Sequence, residues 1–152
     1  MKNILIISIL MLAALPANAQ DKKPEYDSTL ARRVGADERG MKTYVLVILR
    51  TGPARIEDKE LRDSLFAGHF ANMDELAGVG KLVAAGPFYD NEKEYRGLFI
   101  FDVDTIEEAT ELVKGDPTVT NGIFLTEMYK WYGSAALPLM NDIHASLEKP
   151  KL

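Results

Sequence analysis

The chain has 152 residues, 18 Lys+Arg against 23 Asp+Glu, a formal net charge of −5, an apolar fraction of 47% and no cysteine. An acidic chain with no Lys/Arg run interleaved with aromatics is repelled by phosphate backbones, so nucleic-acid binding is disfavoured. Without cysteine there are no disulfides, thiol nucleophiles, thiolate metal sites or lipidated-cysteine anchors.

Residues 1–19 read as an export signal: Lys2, an apolar run from Ile4 to Leu15, Pro16, then the small-residue triplet Ala17-Asn18-Ala19. The apolar run is well short of the roughly 20 residues a membrane-spanning helix needs, so no anchor is expected after cleavage near Gln20. The expected location is the periplasm or the medium. Residues 20–42 are a polar N-terminal extension, with a short helix over 28–34 and with Leu30, Val34 and Met41 available to pin it down.

The domain proper is expected over residues 43–134. Residues 43–50 (T-Y-V-L-V-I-L-R) are β-branched and aromatic and stop at Gly52-Pro53, which marks a strand. Over residues 57–80 the apolar period becomes three and four: Leu61, Leu65, Phe66, Phe70, Met73, Leu76 and Ala77 form one helical face, and Gly78 and Gly80 end it. Residues 81–88 and 95–103 read as two strands of a hairpin around the polar turn 89–94. Thr105 and Glu108 form a capping box for a shorter helix carrying Ile106, Ala109, Leu112 and Val113, terminated at Gly115-Asp116-Pro117. Residues 123–132 are a fourth strand, and residues 135–152 a tail with one more amphipathic helix after Pro138.

The order strand, helix, strand, strand, helix, strand is the ferredoxin-like βαββαβ arrangement of the α+β class: a four-stranded antiparallel sheet with two helices on one face. The first strand offers apolar side chains to both faces (Tyr44, Leu46, Ile48 against Val45, Val47, Leu49), and two helices cover only one. A second copy packing sheet to sheet is the economical cover, so a homodimer, a dimeric α/β barrel, is expected.

Chemistry centres on His69, one of two histidines, because its spacing from Leu65, Phe66 and Met73 places it on the packed helical face. Asp116, leaving the second helix on the same side of the sheet, is a plausible partner. A carboxylate fixes an imidazole's tautomer, which general-base work requires. The competing reading makes His69 a satisfied core histidine and Asp116 a turn cap. His144, beside Asn141 and Asp142, reads as solvated. Two histidines in separate segments supply no metal-ligand spacing, so neither metal nor cofactor is expected. Ser64 and Ser134 lack a neighbouring histidine, and the Gly-rich stretches lack the context of a phosphate loop. Most of the aromatics Phe88, Tyr89, Tyr95, Phe99, Phe101, Tyr129, Trp131 and Tyr132 read as core or dimer interface; a few at the strand ends are candidates to line a small-molecule pocket with Arg50 as its cation, against which stands a plain surface role for Arg50.

Residues 68–88 (G-H-F-A-N-M-D-E-L-A-G-V-G-K-L-V-A-A-G-P-F), the Gly97 strand, Glu107-Glu108-Ala109 and Asp116-Pro117 together resemble the YCII-related proteins, over about residues 43–133. The resemblance implies a dimeric α/β barrel and a His–Asp dyad that falls on His69 and Asp116. Related barrels include lactone isomerases, monooxygenases and a dehydrochlorinase, so the reaction itself does not carry over. The resulting expectation is a cofactor-free small-molecule enzyme of isomerase or lyase type, with His69 as general base or acid and Asp116 orienting it. The alternatives are a non-catalytic module that binds a small ligand and an envelope assembly module acting through its tail.

Overall fold

The computed structural model describes residues 25–147 and residue 149. The expected export signal, the first residues of the extension and the last of the tail lie outside the described residues.

Asp27 caps helix α1 (Ser28–Val34), its carboxylate accepting from the Thr29 and Leu30 amides, and Gly35 closes it in the left-handed conformation at φ 70°. Strand β1 (Met41–Thr51) follows, reaching into what the sequence assigned to the extension. Asp58 caps α2 (Lys59–Gly78). Strands β2 (Leu82–Pro87) and β3 (Tyr95–Phe101) form the expected hairpin. Thr105 caps α3 (Ile106–Val113) in the expected capping box, with Glu108 reaching back to the Asp104 amide. A one-turn helix α4 (Pro117–Thr120) then precedes β4 (Phe124–Ser134), and the tail forms a 3-10 turn (Leu137–Leu139) and α5 (Met140–Ala145).

The sheet order is β2-β3-β1-β4, with every pair antiparallel. This is the ferredoxin-like α+β arrangement expected from the element order. Val45, Val47 and Leu49 of β1 pack with Phe99 and Phe101 of β3 beneath Leu76 of α2 and Ala109 and Val113 of α3. The apolar stripe of α2 is only partly core: His69 and Leu76 are buried, while Leu61 and Phe70 are exposed. At Phe70 the reason is a cavity beside the helix, which Phe66, His69, Phe70 and Met73 line.

The opposite face carries Tyr44, Val83 and Ile100, with Leu137 of the tail packed on them. Asn141 of α5 donates to the Leu82 carbonyl at 2.9 Å, and the Tyr44 hydroxyl donates to the Ser134 carbonyl at 2.9 Å. The chain's own tail thus covers one end of the face expected to meet a second copy. Leu125, Tyr129 and Trp131 of β4 remain exposed.

Candidate active site

His69 stands in the middle of α2, and Asp116 is the N-cap of α4. The Gly115-Asp116-Pro117 segment therefore starts a helix as well as ending one. Pro117 at the first helical position costs no hydrogen bond, because that N–H has no intrahelical partner in any case. Asp116 turns its carboxylate inward: Oδ1 accepts from the Thr118 amide at 2.9 Å and from the Thr118 hydroxyl at 2.6 Å, while Oδ2 lies 2.6 Å from His69 Nδ1. Asp116 and Thr118 have no exposed surface and His69 is 7% exposed.

The sequence could not establish that residues 47 positions apart meet; the structure brings them together. Burial on its own pushes the Asp116 carboxyl towards its neutral form. The hydrogen bonds from His69 and Thr118 outweigh that and hold it below its ordinary value.

These contacts fix which ring nitrogen carries the proton. The single hydroxyl proton of Thr118 goes to Asp116, so towards Nδ1, 3.3 Å away, its oxygen can only accept. Asp116 Oδ2 also accepts. Both groups facing Nδ1 are acceptors, so Nδ1 is the donor and the neutral ring keeps its lone pair on Nε2. No described residue bonds Nε2. Thr118 was not singled out in the sequence. Its signal was the Asp-Pro-Thr spacing, in which an N-cap aspartate meets a hydroxyl two residues on.

An aromatic cage holds the ring. Phe66, Phe70 and Phe124 meet it edge-on, with centroids at 6.2, 5.3 and 5.9 Å, and Phe99 lies tilted at 5.9 Å. The adjoining cavity of about 240 Å³ is lined by these residues with Leu49, Met73, Gly86, Pro87, Arg96 and Gly97. Of the strand-end aromatics proposed for a pocket, Phe99 alone is in this lining. The others in it come from α2 and the start of β4.

Arg50 has the surface role, not that of the pocket's cation. Strand alternation places it on the opposite face of the sheet, where it forms an ion pair with Glu127 at 2.8 Å. The cation at the cavity is Arg96. Leu49 pairs with Gly97 and Arg50 with Tyr95, so Arg96 is the extra residue of a β-bulge. Regular alternation from Gly97 would turn Arg96 away from the helices; the bulge aims it into the cavity instead. His144 lies elsewhere, lining a separate cavity between α2, β2 and α5. Among the described residues, no group of three or more His, Cys, Asp or Glu side chains is placed to hold a metal ion.

The YCII-related domain matches residues 43–131. The chain belongs to the YCII-related domain family. This YCII-related chain is 29% identical over 91 residues to the uncharacterized protein YjpA of Bacillus subtilis (strain 168), covering 60% of this chain and 95% of that relative. A solved structure of 5-chloro-2-hydroxyhydroquinone dehydrochlorinase (TftG) from Burkholderia phenoliruptrix AC1100, in complex with 2,5-dihydroxybenzoquinone, is 22% identical. It aligns with a TM-score of 0.42, covering 57% of this chain and 92% of that one.

Proposed function

We propose that this YCII-related protein is a cofactor-free enzyme of isomerase or lyase type that moves a proton on a small carbonyl compound. The observation that carries this reading is that Nδ1 of His69 faces only acceptors. That leaves Nε2 as a base beside an apolar cavity. A base at Nε2 takes the proton from the carbon next to the substrate carbonyl, and the electron pair moves onto the carbonyl oxygen as an enolate. In a substrate with a double bond conjugated to the enolate, return of the proton to the far carbon of the dienolate completes an isomerisation; loss of a β-substituent as its anion completes an elimination. Asp116 acts through His69, holding its tautomer and stabilising the imidazolium that forms, and Thr118 holds Asp116. Phe66, Phe99 and Phe124 keep water from the enolate.

This reading has two further parts, one resting on sequence and one on the exposed sheet face. The signal-like residues 1–19 support work in the periplasm or the medium, and the exposed Leu125, Tyr129 and Trp131 suit a second copy packed on the sheet face that carries Tyr44.

The experiment is deuterium exchange in D2O, read by proton NMR on a panel of enolisable lactones and cyclic ketones. We expect exchange at the carbon next to the carbonyl with wild-type protein and none above background with a folded His69→Gln variant. Equal exchange by the two proteins would overturn the proposal. Binding without exchange across the panel would favour the ligand-binding alternative.

A further inference from the structure

We propose that the cavity selects a small monocarboxylate with an apolar, ring-sized body, and that Arg96 binds the carboxylate. This deepens the proton-transfer reading and takes from it that this cavity is the site.

Three observations converge. Arg96 is the one residue with a permanent positive charge in the lining, all the rest of which except His69 is apolar side chain or glycine. A carboxylate entering such a cavity loses water and finds no other group of opposite permanent charge.

The second observation is the backbone. The bulge that carries Arg96 interrupts the β1–β3 ladder at the cavity. Its effect is to bring this side chain to the same face as Gly97 and Phe99. A bulge beside a site is a device for aiming a side chain.

The third is how the guanidinium is held. Nε donates to the Thr51 hydroxyl at 2.6 Å, and that hydroxyl gives its own proton to the Glu94 carbonyl at 3.4 Å. The Nη1 contact to Asp90 is long, 3.4 Å, to a carboxylate fully in solvent, and Nη2 bonds no described residue. The side chain is 40% exposed, which places it at the mouth. The Nη groups are therefore available to pair with a carboxylate, and Thr51 is a positioning residue.

Size sets the body of the ligand. At about 240 Å³ the cavity exceeds the roughly 150 Å³ that takes up one benzene ring, so it accommodates a single ring and one substituent. The anion sits outward on Arg96 and the ring lies inward among Phe66, Phe99 and Phe124, against His69.

Benzoate and benzamide test this, being alike in shape and different in charge. Binding is measured by calorimetry and by NMR shifts of the cavity residues, using the full chain. We expect benzoate to bind at least about tenfold more tightly than benzamide, an advantage lost in Arg96→Met and largely kept in Arg96→Lys. Thr51→Val should weaken benzoate while leaving benzamide unchanged. Equal affinity for the two probes, no benzoate binding, or an undiminished preference in Arg96→Met would each overturn the proposal. Arg96-dependent benzoate binding in a protein that exchanges no carbon acid would support the carboxylate site while removing the proton-transfer reading. Exchange without a benzoate preference would do the reverse.

Discussion

Gly68 lies against the ring of Pro117: a methyl group at position 68 would stand 2.6 Å from the proline Cγ. This close approach of α2 to α4 sets the distance between the next residue of each, since His69 follows Gly68 and Asp116 precedes Pro117. The proline ring has little freedom to yield. Gly68→Ala should therefore force the two helices apart. Overpacking of about 1–3 kcal/mol outweighs the gain of up to about 1 kcal/mol in helix propensity. Urea denaturation should show a lower midpoint, and exchange activity should fall with it. An unchanged midpoint would mean that the contact is not tight.

Asp116 serves both the helix cap and the imidazole, and two variants separate these roles. Asp116→Asn retains a cap acceptor but loses the charge. It should cost about 1.5–3 kcal/mol, the loss of the charged hydrogen bond from His69, while lowering the exchange rate by at least about a hundredfold. Asp116→Ala also strands Thr118 and His69 and should cost about 3–5 kcal/mol. Denaturation and exchange assays on the two proteins check the split. Equal activity in wild type and Asp116→Asn would remove Asp116 from the mechanism.

The depressed Asp116 carboxyl makes stability depend on pH in a defined direction. Near pH 4 the unfolded chain holds more protons at this residue than the folded one, so the contribution is complete above about pH 5 and is lost as the pH falls through the lower folded value. The stability gap between wild type and Asp116→Asn should narrow as the pH is lowered from 5 towards 3. A constant gap across that range would contradict the assignment.

Thr118→Val removes the hydroxyl that bonds Asp116 Oδ1 and faces Nδ1. The loss should be about 1–3 kcal/mol, with the Asp116 carboxyl moving up towards its ordinary range. Thr118→Ser should recover both. A carbon-13 titration of the Asp116 carboxyl compares the three proteins, and an unmoved titration in Thr118→Val would show that the hydroxyl is not bonded there.

The fold was legible because the signals were local and periodic. The Thr105–Glu108 box, the two-faced β1 and the turn between β2 and β3 each report through neighbours in sequence. The histidine was legible from its spacing on α2; the topology made Asp116 a candidate partner and the family resemblance singled it out, because contacts between distant residues leave no periodic trace. Thr118 and Arg96 were missed for different reasons. Thr118 works through a one-turn helix too short to show a period. Arg96 breaks the alternation on which strand reading depends, so a regular strand would have placed it on the wrong face. The same alternation, applied to β1, turns Arg50 away from the cavity. Apolar residues of α2 such as Phe70 read as core because a cavity wall and a core surface have the same composition.

The central claim is that Asp116 holds the proton on Nδ1 of His69 and leaves Nε2 as the base. Long-range nitrogen–proton correlation NMR of the histidine rings reads this directly, with His69→Gln assigning the signals. The account requires the neutral His69 ring to be the Nδ1–H tautomer in wild type and to lose that preference in Asp116→Asn. An Nε2–H tautomer in the wild-type protein, or a ring indifferent to Asp116→Asn, would contradict it.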